Sequence, residues 1–294
     1  MASLQMRAIS VVLRVTRKPR MATAEKARAR MAGPTGSAVP PAALGRRHHV
    51  RTRLVQGFPC TTVAPRDGGT GRAVVYLHGG SYIGEIAPQH WALVSRLAAA
   101  GVRVEVPLYG LAPRHTHREA YPFVTEVYRD LLAEVDAART TIAGDSAGGG
   151  LALGFAQTLA AEGLPQPRKL VLLSPWLDLT LSHPDLPALE PRDPWLSIEG
   201  TVEAGRAWAG GDDPTQPRLS PVNGELSGLA PVDVYVGTHE LCLPDVLLLQ
   251  ERGAAAGAEL RVTVRPGAVH VYPLVPAPEG RAEARRIVEE IACS

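Results

Sequence analysis

The sequence of 294 residues contains few cysteines, few aromatic residues and no long apolar run. Its three cysteines, Cys60, Cys242 and Cys293, are odd in number and form no CxxC pair, which excludes a disulfide framework and a thiolate zinc site. No window reaches the roughly 18 consecutive apolar residues that a membrane-spanning helix needs. With 45% hydrophobic and 20% charged residues, the composition is typical of a globular, enzyme-sized chain.

Charge is distributed unevenly along the chain. Residues 1–53 carry 12 Lys and Arg against one acid, Glu25, a net charge of +11. The remaining residues carry 19 basic and 28 acidic side chains, a net charge of −9, so the two parts nearly cancel. No aromatic residue precedes Phe58, so the basic segment lacks a platform on which bases could stack, and we expect no nucleic-acid partner. The apolar run 8–13 is too short for a signal-peptide core. A cytoplasmic protein without integral membrane association is therefore expected.

The basic segment is interpreted as a separate N-terminal unit, residues 1–45, that precedes the body of the chain, residues 46–294. One or two amphipathic helices are predicted. Their inward positions would be Leu4, Ile9, Val11, Val12 and Val15, with Arg7, Arg14, Arg17 and Lys18 outside. Pro34, Pro40 and Pro41 would end the helical stretch.

The body alternates short β-branched runs with longer helical patterns, which predicts an α/β protein whose mostly parallel sheet is covered on both faces. Eight strands are predicted, at 51–56, 59–64, 73–77, 102–107, 140–143, 169–173, 232–236 and 259–265. Five helices are predicted, at 90–100, 119–135, 147–161, 244–256 and 281–292. The Pro-rich and Trp-rich stretch 181–222, with one helical piece near 196–208, is too long for a simple connection. We expect it to lie over the carboxyl ends of the strands, where ligands bind in such folds.

The pentapeptide Gly144-Asp145-Ser146-Ala147-Gly148 stands between a β-branched run and a helical pattern. A serine at a sharp strand-to-helix turn presents its hydroxyl above the sheet. The residues two before and two after it crowd together, which requires glycine. Ser146 is therefore the predicted nucleophile.

His78-Gly79-Gly80 directly follows another predicted strand. Backbone N–H groups of a glycine-rich turn can approach an oxyanion closely. Gly79 and Gly80, together with the amide of Ala147, are the predicted oxyanion donors, and His78 is predicted to be structural.

A serine nucleophile needs a base and an acid that orients it. In the strand–serine–helix architecture the chain order is serine, acid, histidine. Three histidines follow Ser146, namely His183, His239 and His270. His270 comes just after the last predicted strand and is the predicted base. Glu240, in the loop after the strand 232–236, is the predicted acid, whereas Asp245 begins the next helix and suits capping.

The sequence gives little support for a metal or a nucleotide cofactor. His115-Thr116-His117 lacks further ligands at short spacing, so a metal site is not expected. No GxGxxG or P-loop motif occurs, so no nucleotide cofactor is expected.

Taken together, these motifs resemble the hormone-sensitive-lipase-like family of α/β-hydrolases, in its bacterial esterase and acetyl-hydrolase branch. The matching stretches are HGGSYIG (78–84), YGLAP (109–113), GDSAGGGLAL (144–153), SPWLDLT (174–180), GTHELCLPD (237–245) and PGAVHVYP (266–273). The resemblance implies the α/β-hydrolase fold, the triad Ser146, Glu240 and His270, and a helical cap made by the N-terminal segment and the 181–222 insertion. Ser81 departs from the family's frequent HGGG.

The predicted function is a serine carboxylesterase that hydrolyses short-chain, acetyl-like esters of small molecules through an acyl-enzyme. Amide deacetylation and acyl transfer share the same machinery and stay open, as does a non-catalytic small-molecule receptor on the same fold. Tyr82, Trp91, Trp195 and Trp208 are candidates for the substrate pocket walls. A homodimer is compatible with these features.

Overall fold

The computed structural model describes residues 2–293, and its centre is one eight-stranded sheet. The strands are β1 His49–Val55, β2 Phe58–Ala64, β3 Ala73–Leu77, β4 Arg103–Pro107, β5 Thr140–Asp145, β6 Lys169–Leu173, β7 Val232–His239 and β8 Leu260–Val269. Their order is β1-β2-β4-β3-β5-β6-β7-β8. β2 is antiparallel to both of its neighbours, and the pairs from β4 to β8 are parallel. The predicted mostly parallel, eight-stranded sheet is confirmed.

Ten α-helices accompany the sheet in the described part of the chain. They are α1 Leu4–Thr16, α2 Ala24–Ala32, α3 Ala42–Arg47, α4 Pro88–Ala99, α5 His117–Leu132, α6 Ser146–Thr158, α7 Leu186–Leu189, α8 Ile198–Ala209, α9 Leu243–Ala255 and α10 Pro278–Cys293. The five helices predicted for the body correspond to α4, α5, α6, α9 and α10. Across residues 2–293, no helix has both the length and the apolar character that crossing a bilayer requires.

The sheet separates two hydrophobic cores, one on each face. All five residues of β3 are buried, and its side chains alternate: Val74 and Tyr76 enter one core, Val75 and Leu77 the other. This arrangement explains the unbroken apolar run of a central parallel strand, since both of its faces are covered.

The prediction of which residues of the first helix face inward is wrong for all of them except Ile9. Met6 and Leu13 are the buried residues of α1, and Ile9 packs beside them. The other predicted inward residues are 57% to 74% exposed: Leu4, Val11, Val12 and Val15. α1 carries apolar side chains on two faces, and helical periodicity alone does not tell which of them meets the body. Lys18, predicted to point outward, is half-buried instead.

The N-terminal segment contacts the body at several separate points. Ser3 caps α1 and also donates from its hydroxyl to Glu279 of α10, over 2.8 Å. Lys18 Nζ donates to the carbonyls of Glu190 and Asp193 in the 181–222 insertion, over 2.5 and 2.6 Å. α2 packs against α8, and the turn before α2 lies so close to α8 that a Cβ on Gly200 would overlap the Met21 carbonyl. The boundary predicted at residue 45 falls inside α3, which begins directly after the prolines.

The insertion differs from its prediction by one short element. Its main helix, α8, was predicted within two residues of its observed start, whereas the one-turn helix α7 was not predicted. A four-residue helix shows too little periodicity for detection from sequence.

Candidate active site

Three strands of the parallel sheet end directly before the three predicted triad residues. β5 ends at Asp145, β7 at His239 and β8 at Val269, so Ser146, Glu240 and His270 each occupy the next position. Parallel strands deliver their carboxyl ends to one edge of the sheet, and the three side chains meet there. β7 extends three residues beyond its predicted end, so Glu240 follows the strand directly.

The backbone at Ser146 is held in a left-handed conformation, with φ of +51°. A Cβ on Gly144 would lie 2.3 Å from the carbonyl oxygen of Gly148, and a Cβ on Gly148 would lie 2.1 Å from that of Leu77. Only glycine fits at either position, because both flanks of the turn touch backbone. The strained turn places the Ser146 hydroxyl at the start of α6, above the sheet.

A continuous hydrogen-bonded chain joins the three side chains. Ser146 Oγ lies 2.9 Å from His270 Nε2, and His270 Nδ1 lies 2.8 Å from Glu240 Oε2. Since a carboxylate only accepts, Nδ1 carries the proton and Nε2 is left to accept the proton of the serine hydroxyl. All three residues are buried. This is the geometry in which a histidine withdraws a proton from a serine.

The Glu240 carboxylate is fixed by donors besides the histidine. Its Oε1 accepts from Ser174 Oγ over 2.8 Å and from the amide of Gly237 over 2.5 Å. Ser174 in turn accepts from the amide of Val271, over 2.9 Å. Ser174 thus links the acid to the residue that follows the base, a role that the sequence did not reveal.

The electrostatics favour a basic histidine. Burial alone would lower the pKa of His270, but the hydrogen bond and the negative charge of Glu240, with the carboxylates of Asp193 and Asp145, raise it above its ordinary value. Such a shift suits a group that takes up a proton during a reaction at neutral pH.

Asp193, from the insertion, is the second residue that sequence reasoning missed. Its Oδ1 accepts from the amides of Trp195 and Leu196, and its Oδ2 accepts from the amide of Leu241, next to the acid, over 2.8 Å. Burial raises the pKa of Asp193 to about 6. It connects the insertion to the acid's loop, and no local pattern in a loop marks such a long-range contact.

One of the predicted oxyanion donors is already engaged. The amide of Gly79 donates to Asp145 Oδ1 over 3.0 Å, so its proton does not point to a substrate, and this prediction is wrong. The amides of Gly80 and Ser81, in the cavity wall, and of Ala147, in the first turn of α6, make no hydrogen bond to any described residue. First-turn amides of a helix lack intrahelical acceptors. These three N–H groups are available to an oxyanion: Gly80 and Ala147 are among the predicted donors, and Ser81 replaces Gly79.

The cavity beside Ser146 has a volume of about 650 Å³ and includes His270, Trp195 and several residues of the N-terminal segment in its lining. The Trp195 ring stands edge-on to the His270 ring, with centroids 5.9 Å apart. Tyr82 and Trp208 do not line it, contrary to prediction: their rings stack at 4.2 Å in the core, and the Tyr82 hydroxyl donates to the carbonyl of Ala147. They support the wall from behind.

A second, much smaller niche of about 10 Å³ also reaches Ser146. Its other lining residues are mainly apolar: Ser81, Trp176, Leu181, Leu196, Thr201, Leu241 and Cys242. Ser81, Ser146, Leu196 and Thr201 line both spaces, so the large cavity and this niche, which is about the size of one water molecule, adjoin at Ser146.

A metal is not needed to explain the titratable groups. His117 bonds to Asp212 over 2.8 Å and His115 packs edge-on against Phe58, so the two histidines of the 115–117 stretch have separate partners. Within residues 2–293, the only three His, Cys, Asp or Glu side chains close enough to share an ion are Glu240, Cys242 and His270. Burial raises the pKa of the Cys242 thiol far above its usual value, and the other two already bond to each other.

Comparison with known proteins agrees with this geometry. A family model described as the alpha/beta hydrolase fold matches residues 74–274. The chain belongs to the α/β-hydrolase family. This α/β-hydrolase is 33% identical to an acetyl-hydrolase of Streptomyces hygroscopicus, over 74% of the chain and 73% of that protein. It is 37% identical to LipR of Mycobacterium tuberculosis, over 64% of the chain and 62% of LipR.

Solved structures extend the likeness over the whole α/β-hydrolase chain. A hormone-sensitive lipase from a metagenome library superposes with a TM-score of 0.83 and 29% identity, and the match covers 98% of each chain. The names of these relatives agree with the class predicted from the sequence, a carboxylic ester hydrolase of the hormone-sensitive-lipase-like family.

Proposed function

We propose that this α/β-hydrolase is a serine carboxylesterase that hydrolyses short-chain, acetyl-like esters through an acyl-enzyme intermediate. The observation that carries the proposal is the buried chain from Glu240 through His270 to Ser146, with 2.8 and 2.9 Å between its atoms. The three unengaged amides beside Ser146 supply the second requirement, stabilisation of a developing oxyanion.

The reaction proceeds in two halves. Ser146 Oγ attacks the ester carbonyl carbon as its proton passes to His270 Nε2, and the amides of Gly80, Ser81 and Ala147 bind the oxyanion. His270 then gives the proton to the departing alcohol as the carbon–oxygen bond breaks. Water, deprotonated by His270, attacks the acyl-enzyme and releases the carboxylic acid and free Ser146. Glu240 holds the imidazole and stabilises its charged form.

The niche supports a short acyl group. A space of about 10 Å³ next to Ser146 has room for a methyl group and not for a chain, and its walls are mainly apolar. The adjoining cavity of about 650 Å³ then receives the alcohol part. The N-terminal segment and the 181–222 insertion together form a cap over this cavity. Ile9 and Leu13 of the segment and Trp195 of the insertion support this role, because all three line the cavity.

The experiment measures kcat/KM for p-nitrophenyl esters with acyl chains of two to sixteen carbons. We expect the acetate to be hydrolysed best, with kcat/KM falling from the next longer acyl chain onward, because chains longer than acetyl exceed the niche. Ser146→Ala is expected to lose at least about 10³-fold in kcat, since the nucleophile is removed. Retention of activity in a clean Ser146→Ala preparation would refute the assignment, and a flat chain-length profile would refute the acetyl preference.

Three further assays on the purified protein distinguish the esterase from a non-catalytic receptor, an amide deacetylase and an acyltransferase. A fluorophosphonate probe should label Ser146, whereas a pure receptor would remain unlabelled. Acetanilides in place of esters test amide deacetylation, and added alcohols test acyl transfer by the formation of a new ester.

Location and assembly complete the proposal: a cytoplasmic enzyme that acts on a small-molecule ester. A homodimer would use β8, which pairs with β7 alone among the described strands and so offers a sheet edge. Light scattering of the purified chain distinguishes a dimer from a monomer.

A further inference from the structure

Two arginines of the N-terminal segment line the same cavity as Ser146. They are Arg17, at the end of α1, and Arg30, in the last turn of α2. The Arg30 guanidinium rests against Gly84, where a Cβ would lie 3.2 Å from Nη2. The amide of Gly84 donates to the carbonyl of Gly80 over 2.9 Å. Arg30 therefore lies beside the turn that carries the unengaged amides of Gly80 and Ser81.

Neither guanidinium has a partner. Between residues 2 and 293, the side chains of Arg17 and Arg30 form no hydrogen bond and no ion pair, whereas other cations of the segment are engaged. Arg14 and Lys18 donate to carbonyls of the insertion, and Arg28 pairs with Glu203 at 2.9 Å. The basic side chains of this segment that contact the insertion or α8 are therefore paired, whereas Arg17 and Arg30, which line the cavity, are not.

The acids of the cavity do not compensate these charges. Asp145 already accepts from Tyr76 and Gly79 and lies 3.2 Å from His90 Nε2. Burial alone raises the pKa of Glu85, and no cation opposes that rise. Glu85 is therefore not an ion-pair partner of either arginine.

The surroundings of Arg30 disfavour the positive charge on its guanidinium. The side chain is partly buried, which lowers the pKa of its guanidinium, and the nearby charges of Arg17 and Arg20 lower that pKa further. A guanidinium nevertheless stays protonated at neutral pH. A desolvated cation among like charges is stabilised when an anion binds between them.

We propose that the cavity selects esters whose alcohol part carries a carboxylate, which Arg30 binds with the help of Arg17. This inference rests on the proposed function, in which the niche takes the acyl group and the cavity takes the alcohol. A planar guanidinium binds a carboxylate through two parallel hydrogen bonds, which gives both affinity and orientation. The preferred substrates are acetate esters of hydroxy acids.

The test compares matched substrates that differ only in charge: ω-acetoxy acids of three to six carbons and the corresponding ω-acetoxy amides. Acetate release gives kcat/KM for each. We expect the best acid to exceed its amide by roughly tenfold, the effect typical of one charge-assisted hydrogen bond. The difference should lie mainly in KM, because the distant carboxylate is bound equally in ground and transition states. Salt at 0.5 M should reduce it.

Variants assign the preference to the named residues. Arg30→Gln is expected to bring the acid-to-amide ratio close to one, and Arg17→Gln, at an exposed position that tolerates substitution, to lower it by a smaller factor. Lys26→Gln is the matched control, because it removes one positive charge from an exposed position on α2 outside the cavity. The control should keep the wild-type ratio.

Failure of this inference is distinguishable from failure of the proposed function. If acids and amides are hydrolysed equally in a reaction that Ser146→Ala abolishes, the carboxylate site is refuted and the esterase stands. If neither these substrates nor p-nitrophenyl acetate is hydrolysed, the esterase is refuted, and calorimetric binding of 4-acetoxybutanoate to the unmodified protein decides the carboxylate site. Binding that Arg30→Gln weakens supports the site, and undetectable or unaffected binding overturns it.

Discussion

At the scale of single residues, the buried histidine draws its basicity from carboxylates that different parts of the chain supply. Glu240 follows β7, Asp145 ends β5, and Asp193 belongs to the insertion, yet all three raise the pKa of His270. Asp193 lines neither the cavity nor the niche beside Ser146; it accepts from the amide of Leu241 and thereby holds the loop of the acid. It is a positioning residue whose charge is also felt at the base.

Replacement of Asp193 by Asn therefore has two expected effects. The amide of Leu241 loses a charged acceptor, so kcat should fall by roughly tenfold. The pKa of His270 should fall too, because one negative charge is removed. Esterase activity needs neutral His270 and is lost as the pH drops through that pKa, so the acid limb of kcat/KM should move to lower pH.

The control for this pH profile is Asp185→Asn, an exposed carboxylate of the same insertion. It should leave both kcat and the acid limb as in the wild type. An unchanged acid limb in Asp193→Asn, with only a loss of stability, would mean that Asp193 is purely structural.

At the scale of elements, α1 shows how a helix with two apolar faces is oriented by its contacts. Met6 is fully buried in the core on one face of the sheet, whereas Val12, six residues further along α1, points away from that core and is 57% exposed. The hydrogen bonds of Ser3 and Lys18, just outside the two ends of the helix, complete the docking. Packing, and not the number of apolar residues, determines which face is inside.

Met6→Ala and Val12→Ala test this orientation within one helix. Removal of the buried methionine side chain should cost about 2–5 kcal/mol of docking free energy, whereas the exposed valine should cost within about 0.5 kcal/mol. Hydrogen exchange of the α1 amides measures local opening of this helix. Equal acceleration of exchange in the two variants would contradict the observed orientation.

At the scale of the whole molecule, the sequence was sufficient for features that depend on chain order and insufficient for those that depend on contacts. Strand–helix alternation predicts the sheet, and the order of Ser146, Glu240 and His270 follows from parallel strands that end at one edge. The engagement of Gly79 by Asp145 and the burial of Trp208 behind the wall arise from packing between distant segments. No local pattern encodes those contacts.

The uneven charge, +11 in residues 1–53 against −9 in the remainder, explains little of how the N-terminal segment is held. Within residues 2–40, Arg28 forms the only ion pair to the body, and apolar contacts with hydrogen bonds to backbone carbonyls and to the Glu199 and Glu279 carboxylates provide the rest. The unpaired cations face the cavity or the solvent. Their role is therefore expected in substrate choice more than in stability.

Deletion of residues 1–40 separates these two roles. The deletion exposes the face of α8 that α2 covers and the core residues against which Met6 packs. We therefore expect the melting temperature to fall by about 5–10 °C. It also removes Arg17 and Arg30, so the preference for acids over amides should disappear. By contrast, 0.5 M NaCl added to the full chain should weaken that preference with little change in melting temperature, because packing is not screened by salt. A truncated chain with unchanged stability and specificity would show that the segment is a dispensable tail.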